Sequence, residues 1–458
     1  YRETLQQFTQ TSLDDLKLIN KPIRAILTDS LHNLWIGTNG DGLLKIKDYG
    51  SNTNIFETDK LHRFTSNEGL TDNQVFGLER SKSKPIFWIG TERGLSYYSY
   101  SDNKIRKVIN NTRKRVERIH SIKEINDSTL WVSTTEFGLI KLTLTQKASN
   151  LYIKSAETHL LKAGNFICNE IHSMSYDGHQ NLTIGSRGGY GVAQFNILNN
   201  KYHFMPINQH GEKSAMGDVL CVYESHDSSL YIGSSSGLTQ VRHLSGDKLQ
   251  VKQFDKKNGM INDMIHGILE DSDGYIWLSS NRGLIKYNPR NDSFFNFSSP
   301  ALSIVEFSDD AFWKCPYTNN LFFGGVNGLV CINPERGIRT EPQKNTKFHF
   351  FDIKVSGESF PLSKFINPKT KAIEIPSNIS FFAISFIAIN FLSDNSYEYS
   401  YKLENYNDNW IDLQKVNEVS FINLPYGKYT LKVKYKNDVA EGNEQFKTID
   451  IIKLPPWY

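Results

Sequence analysis

The sequence lacks an uninterrupted apolar run of the roughly 18 residues that a membrane-spanning helix requires. Its longest candidate, residues 379–392, is interrupted by Ser380, Ser385 and Asn390 and favours one or two sheet strands. No signal peptide opens the chain, so Tyr1 is interpreted as a mature or trimmed start.

Cysteine is also scarce, and the positive and negative charges nearly cancel. The four cysteines match no zinc or redox spacing and are predicted to be small buried hydrophobic residues. A net charge of +3 over 458 residues gives no electrostatic reason to expect a nucleic acid partner. No Ser-His-Asp set, phosphate loop or metal motif stands out, so no catalytic residue, metal or cofactor is assigned.

What the sequence does contain is a repeat of the form W-I-G-T-x-x-x-G-L, which returns seven times, in places degraded, at intervals of roughly 43 to 53 residues. Six of the units begin with an apolar strand whose third residue is small, as inner strands converging on an axis require. Repeats of this length and content predict a seven-bladed β-propeller. The anchor positions of the repeat are Trp35, Trp88, Trp131, Thr183, Tyr231, Trp277 and Phe322.

The repeat divides the chain into two predicted domains. Residues 1–340 are predicted to form the propeller, with the segment Thr4–Thr9 supplying the missing outer strand of the seventh blade. Residues 341–458 contain about seven strand-like segments separated by turn residues, which predict an immunoglobulin-like β-sandwich. The fold class is therefore all-β.

Two sets of motifs carry a family resemblance. The segments YEYSYKLENYNDNWIDL and VSFINLPYGKYTLKVKYKN resemble the tyrosine-rich Y_Y_Y sandwich of Bacteroidetes hybrid two-component systems, and the W-I-G-T units resemble their two-component regulator propeller repeat. The resemblance implies a periplasmic, ligand-sensing ectodomain of a sensor histidine kinase and response regulator that controls transcription, and no enzymatic activity in this chain itself. It also implies a membrane-proximal sandwich, anchored by a helix missing beyond the ending Leu454–Tyr458.

Family members often carry another propeller upstream, together with membrane and kinase segments, so the chain resembles a fragment of a larger receptor. A ligand shifts such a receptor by binding two arrangements of it unequally. The arrangement expected to change is that of two sandwiches in a homodimer formed through the C-terminal domain.

Candidate ligand-binding residues lie in the turns between strands two and three of the blades, which share one propeller face with the inter-blade loops. Their mixture of charges, amides and an aromatic ring suits hydroxyl-rich or acidic sugars, so the expected ligand is an oligosaccharide from glycan breakdown. For each residue the alternative is a solvated loop side chain. The predicted residues are Asp41, Arg93, Glu136, Arg187, Tyr190, Arg282 and Asn327.

The second residue of the inner strands offers a different hypothesis. Three imidazoles near a central channel could bind a metal or an anion, or could simply pack between blades. Packing is favoured, because no carboxylate or cysteine partner repeats with the histidines. The residues at this position are Arg24, Phe76, His120, His172, Leu220 and His266.

Acidic residues that follow the inner strands are interpreted as turn formers. Asp29, Asp271 and Asp273 invite comparison with a calcium loop, but the later acidic ligand of such a loop is missing. Two other functions stay open. A propeller glycosidase or lyase would need a carboxylate pair about 5–10 Å apart, and a protein-binding scaffold would need a broad apolar patch on the propeller face.

Overall fold

In the computed structural model of this chain, two compact units divide the sequence into Arg2–Ile338 and Arg339–Tyr458. Strands are numbered β1 to β40 along the chain. The structure describes residues 8–12, 21–49, 61–148, 150–163, 166–188, 191–205, 217–243, 249–298, 306–334, 347–389, 397–414, 416–437 and 445–456.

Within these described residues, the first unit contains seven mainly antiparallel sheets of four or five strands and one two-stranded hairpin. The strand β1 (Phe8–Ser12) belongs to the seventh sheet. The first three sheets are formed by β2 (Ile23–Thr28), β3 (Leu34–Thr38), β4 (Leu43–Ile46) and β5 (Leu61–Phe64); by β6 (Val75–Arg80), β7 (Ile86–Thr91), β8 (Gly94–Ser99) and β9 (Lys104–Lys107); and by β11 (Ile119–Asn126), β12 (Thr129–Thr134), β13 (Leu139–Lys147) and β14 (Asn150–His159), with β10 (Ile109–Asn110) added in parallel to β14.

A short hairpin, β15 (Leu161–Ala163) and β16 (Phe166–Cys168), precedes the fourth sheet. Two single-turn 3₁₀ helices, Ser66–Glu68 and Lys256–Asn258, follow outer strands. The remaining sheets are formed by β17 (Ile171–Tyr176), β18 (Asn181–Ser186), β19 (Val192–Asn196) and β20 (Tyr202–Phe204); by β21 (Val219–Glu224), β22 (Leu230–Ser234), β23 (Gly237–His243) and β24 (Leu249–Phe254); by β25 (Ile265–Glu270), β26 (Ile276–Ser280), β27 (Gly283–Asn288) and β28 (Ser293–Ser298); and by β29 (Phe307–Lys314), β30 (Leu321–Gly325) and β31 (Gly328–Ile332), with β1.

The sheets close into a ring because each inner strand packs on the next one. β2 packs against β6, β6 against β11, and so on to β25 against β29, which packs against β2. The glycine of the W-I-G-T motif makes this approach possible: a Cβ on Gly37 would lie 2.7 Å from Val75 Cγ1 of the following sheet. These contacts account for the small residue that the motif keeps at this position.

The seventh sheet is completed from the other end of the propeller unit. β1 pairs antiparallel with β31, with Phe8 opposite Ile332 and Ser12 opposite Gly328. The closing strand was predicted at Thr4–Thr9, which overlaps β1 at Phe8 and Thr9, and the part before Phe8 lies outside the described residues.

Buried tryptophans fill the gaps between neighbouring sheets. Trp35 has no exposed surface, and its ring lies 4.8 Å from that of Phe87 in the next sheet. Its indole Nε1 donates to Asp29 Oδ2 at 2.8 Å, and the other oxygen of Asp29 accepts turn amides from Leu31 and Asn33. Asp29 is therefore a turn former, as predicted, and also satisfies an indole that would otherwise be buried without a partner.

The second unit is a sandwich of two sheets around one apolar core. The sheet orders are β33-β32-β35-β38 and β34-β40-β39-β36-β37. A single-turn 3₁₀ helix, Leu362–Lys364, follows the second strand. The strands are β32 (Lys347–Val355), β33 (Glu358–Pro361), β34 (Ile373–Ile375), β35 (Phe381–Ile389), β36 (Tyr397–Glu404), β37 (Asn407–Gln414), β38 (Glu418–Ile422), β39 (Gly427–Asn437) and β40 (Gln445–Lys453).

The described part of the sandwich has nine strands, whereas about seven segments were predicted. One difference is at Ser356 and Gly357, whose positive φ angles of 52° and 92° form a two-residue hairpin turn that splits the first segment. The tyrosines belong to the core and its corner, as expected: the Tyr399 hydroxyl accepts from the Ala388 amide, and the Tyr429 hydroxyl donates to the Pro425 carbonyl at 2.8 Å.

These sheets confirm the predicted all-β class, a propeller followed by a sandwich. The four cysteines are buried and unpaired, as predicted. Among the described residues, no helix is long and apolar enough to span a bilayer.

Candidate functional site

A β-bulge recurs at the start of the inner strands. In each of the first six sheets the pairing register shifts between the first and third residues of the inner strand, so the second residue lies in the bulge. Bulges re-aim side chains and are common beside functional sites. The bulged residues are Arg24, Phe76, His120, His172, Leu220 and His266.

Consecutive members of this set contact one another. The Phe76 and His120 rings stack 4.5 Å apart at 11°, and the His120 and His172 rings meet edge to face at 4.6 Å. The guanidinium of Arg24 lies 5.9 Å from the centre of the Phe76 ring. The inner strands begin at the face that carries the turns between strands two and three, so these side chains gather at the mouth of the central channel on that face.

The seventh sheet has a longer irregularity at the same place. Phe307 pairs with Gly325, and the next paired residue of β29 is Phe312, opposite Phe323. Ala311 is equivalent to the small third residue of the other inner strands. A Cβ built on Gly324 would lie 3.1 Å from the Ala311 Cβ, the same distance that separates a Cβ on Gly37 from the Cβ of Ala25 in the first sheet. Between its first and its small residue, this inner strand therefore has two more residues than those of the other sheets. The bulge that accommodates them contains Asp309 and Asp310. The backbone of Asp310 is in the left-handed region, with a φ angle of 61°.

Asp309 is the centre of a buried ion-pair network. It accepts from Arg187 Nη2 at 2.7 Å and from His266 Nδ1 at 2.5 Å. Burial raises the pKa of Asp309, but the bond from His266 and the charges of Arg24 and Arg187 outweigh it and hold the pKa below its usual range. Arg187 also approaches Glu170, with 3.8 Å between Nη1 and Oε1.

Next to this network lie three ionisable groups whose burial disfavours the charged form. Burial, reinforced by nearby guanidinium charges, lowers the pKa of His120 to about 3. Burial, together with His120, also lowers the pKa of His172 to about 3. Burial and the charge of Asp309 raise the pKa of the Asp310 carboxyl well above its ordinary value.

Below the mouth, the inner strands enclose a channel cavity of about 340 Å³. His120 and Asp310 line it, together with Phe76 and Ser173. Farther along the inner strands the lining becomes charged, and Lys123 Nζ lies 3.1 Å from Glu79 Oε2.

A second concavity lies on the same face, between the second and third sheets. It has a volume of about 570 Å³ and is lined almost entirely by charged side chains. We call it the rim groove. Its lining residues are Asp72, Gln74, Glu92, Arg93, Arg115, Glu117 and Arg118.

The charges of the rim groove are arranged in exposed ion pairs. Arg93 Nε lies 3.3 Å from Asp72 Oδ2. Arg118 bridges two acids, with Glu92 Oε1 at 3.1 Å and Glu136 Oε2 at 3.4 Å. Exposed pairs of this kind contribute only about 0–1 kcal/mol each, so a polar ligand can exchange them for its own hydrogen bonds at little cost.

The seven predicted ligand residues separate into several places. Arg187 lies in the channel mouth, Arg93 lines the rim groove, and Glu136 adjoins that groove through Arg118. Tyr190 lies outside the described residues. Turns of the first, sixth and seventh sheets hold the remaining three, and none of these lines either described cavity; they are Asp41, Arg282 and Asn327.

The sequence did not reveal Asp309, Asp310 or two of the three rim-groove arginines, Arg115 and Arg118, as site residues. The seventh unit was the least regular, and its inner strand could not be aligned with the other six. That irregularity was the available signal, because it reflects the two additional residues of the bulge.

Segments of both units, the propeller and the sandwich, match families of known proteins. The Y_Y_Y domain matches residues 390–454, and the two-component regulator propeller matches residues 17–40 and 259–282. These matches confirm the predicted resemblance to the two-component regulator propeller repeat and to the Y_Y_Y domain in those segments.

A curated relative is Histidine kinase P4 of Formosa agariphila, 24% identical over 471 residues that include 98% of this chain. The chain spans 32%, about a third, of that protein's length. A crystal structure of the extracellular domain described as that of the hybrid two-component system BT3049 from B. thetaiotaomicron has a TM-score of 0.76 and 23% identity, covering 98% of this chain and 58% of that one. A streptogramin B lyase has a TM-score of 0.51 and 11% identity over 72% of this chain and 98% of its own. Both structural likenesses show the fold alone.

Proposed function

We propose that this chain is the ligand-sensing, extracytoplasmic part of a hybrid two-component histidine kinase and response regulator. The observation that carries the proposal is the order of the modules, a regulator propeller followed by a Y_Y_Y sandwich. A relative that is named a histidine kinase supports it, because its match includes 98% of this chain. On this proposal the chain lies in the periplasm, is anchored through a helix beyond its C-terminal residue, and senses rather than catalyses.

The proposed ligand is an oligosaccharide from glycan breakdown, bound on the propeller face at the rim groove. Guanidinium and carboxylate groups together can form paired hydrogen bonds with vicinal hydroxyls, and arginine also binds acidic sugars. An aromatic ring adjoins the groove, since the Arg115 guanidinium lies 5.1 Å from the centre of the Phe137 ring. Sugar rings bind well where polar groups meet such a surface.

The proposed output is a change in a homodimer formed through the sandwich. Strand β37 is the edge of its sheet, and large apolar side chains on or beside it are exposed: Tyr406 at 58%, Trp410 at 43% and Ile411 at 39%. An exposed edge strand with apolar side chains is suited to pairing with another chain. A ligand bound to the propeller would then act through its unequal affinity for two dimer arrangements.

The test is calorimetric titration of the whole chain with a panel of defined neutral, uronic and sulfated oligosaccharides. Binding of at least one of them is expected, with affinity reduced at least tenfold in Arg118→Ala. Lys201→Ala is the control, because it also removes one positive charge but lies in a strand-three to strand-four turn on the opposite face. Absence of binding across the panel, or equal loss in both variants, would contradict the proposed site.

A further inference from the structure

Three side chains from three different sheets meet at the channel mouth. His120 comes from β11, His172 from β17 and Asp310 from the long bulge of β29. One potential metal-binding atom from each lies within 4.8 Å of the other two. His120 Nδ1 and Asp310 Oδ2 are 3.8 Å apart.

Each of these side chains has a buried polar atom that no other described residue hydrogen-bonds. The atoms are His120 Nδ1, His172 Nδ1 and Asp310 Oδ2. The exposed fraction of the side chains is 6%, 8% and 12%, respectively. Most buried polar atoms in native structures have a hydrogen-bond partner, and here each of the three side chains that meet at the channel mouth has one that lacks it.

Neighbouring residues hold the imidazoles in a suitable form. Glu170 Oε1 lies 3.2 Å from His172 Nε2, so the Nε2 proton is donated to the carboxylate and Nδ1, which has no hydrogen-bond partner, carries the lone pair. A carboxylate behind a histidine is the usual arrangement around protein-bound metals. Phe76, stacked flat on His120, restrains the second ring.

We propose that His120, His172 and Asp310 form a binding site for a divalent transition metal ion at the mouth of the channel. Two imidazole nitrogens and one carboxylate oxygen suit Zn²⁺, Co²⁺ or Ni²⁺, whereas Ca²⁺ and Mg²⁺ prefer oxygen alone. Three protein ligands leave a further coordination position for water or a ligand group.

The geometry is compatible with metal binding after a small contraction. Ligands about 2.1 Å from a tetrahedral ion lie about 3.4 Å from one another, so the 3.8 Å pair must close by only a few tenths of an ångström. Rotation of an imidazole can supply the larger adjustment needed where the separation approaches 4.8 Å.

Charge around the cluster is mixed. Arg24 and Arg187 oppose a cation, but Arg187 is already paired with Asp309, and Glu170 and Asp310 add two further carboxyl groups. An anion is the less suitable occupant, because the carboxylates of Asp309 and Glu170 beside the cluster would repel it. A bound metal would join the third, fourth and seventh sheets across the axis. The inference is independent of the proposed sensing function.

The test uses the whole chain, stripped with EDTA and titrated with Zn²⁺ alone against a chromophoric chelator, with metal content measured by mass spectrometry. One ion per chain is expected, together with a rise in Tm that EDTA reverses. His172→Gln and Asp310→Asn should each weaken binding at least tenfold. His226→Gln is the control, because this exposed histidine also contacts a carboxylate, that of Glu270.

Co²⁺ provides a second measurement that does not depend on any variant folding. The wild-type chain should give the visible absorption of a four- or five-coordinate Co²⁺ ion with nitrogen and oxygen ligands. The proposal would be overturned if the wild-type chain with Co²⁺ gave only the weak spectrum of the hydrated ion. It would also be overturned if His226→Gln lost stoichiometric Zn²⁺ binding. So would a Tm rise produced by phosphate or chloride but not by Zn²⁺.

Discussion

Gly324 of the seventh sheet lies directly against Ile23 of the first, so closely that a Cβ on the glycine would come within 2.5 Å of Ile23 Cγ2. The contact joins the last sheet of the ring to its first. It repeats, at the closure, the contact that Gly37 makes with Val75 between the first and second sheets.

Gly324→Ala should therefore destabilise the propeller by about 1–3 kcal/mol, because the added methyl group overpacks a rigid contact. Urea unfolding followed by tryptophan fluorescence would measure the change. Ser279→Ala is a matched control, since the sixth sheet already accommodates a Cβ at the equivalent position, and it should change stability much less. Equal effects would show that the closure contact can relax.

The turn aspartate of the first sheet gives a second expectation. Asp29 accepts from the Trp35 indole, from two turn amides and from the Asn33 side chain, and all of these bonds except that from the Leu31 amide are buried. Asp29→Ala leaves these donors unsatisfied and should lower the free energy of unfolding by about 3 kcal/mol. Asp273→Ala, an exposed aspartate in the turn of the sixth sheet, should cost less than about 0.5 kcal/mol by the same measurement.

Glu124 should make stability depend on pH. Its carboxylate accepts from Trp88 Nε1 and Ser83 Oγ, both at 2.7 Å. Burial raises the pKa of Glu124, but these bonds outweigh it and set the folded pKa below the unfolded one. The stabilisation is therefore present above the unfolded pKa and is lost as pH falls through the folded pKa.

Glu124→Gln should thus cost about 2 kcal/mol at pH 7, and the difference from wild type should shrink as the pH is lowered below about 4.5. Urea titrations at several pH values would measure it, with the exposed Glu157→Gln as control. A difference that grows toward acid pH would contradict the assigned direction of the pKa.

The proposed dimer gives a fourth expectation. Ile411→Lys places a charge on the exposed edge strand β37 and should weaken self-association at least tenfold in sedimentation experiments, because a desolvated lysine opposes an apolar contact. Leu198→Lys, at a propeller side chain that is 75% exposed, is the control and should leave association unchanged. A wild-type chain that is monomeric at high concentration would rule out a dimer made by this chain alone.

Sequence periodicity was sufficient to predict the ring and the sandwich, because the anchor tryptophans and small inner residues recur wherever sheets pack together. It could not predict the channel-mouth cluster. Asp309 and Asp310 depend on a register irregularity in β29, and their partners Arg187 and His266 come from sheets that the closure brings together.

The pairing of β1 with β31 has a consequence for how the propeller forms. Phe8 meets Ile332, so the first described strand has no partner until nearly the whole propeller sequence has been synthesised. Contacts between residues so distant in sequence form late, because a very long loop must close first. Once β31 has been made and before β1 pairs with it, β31 presents an open edge, and a strand from another chain could take the place of β1.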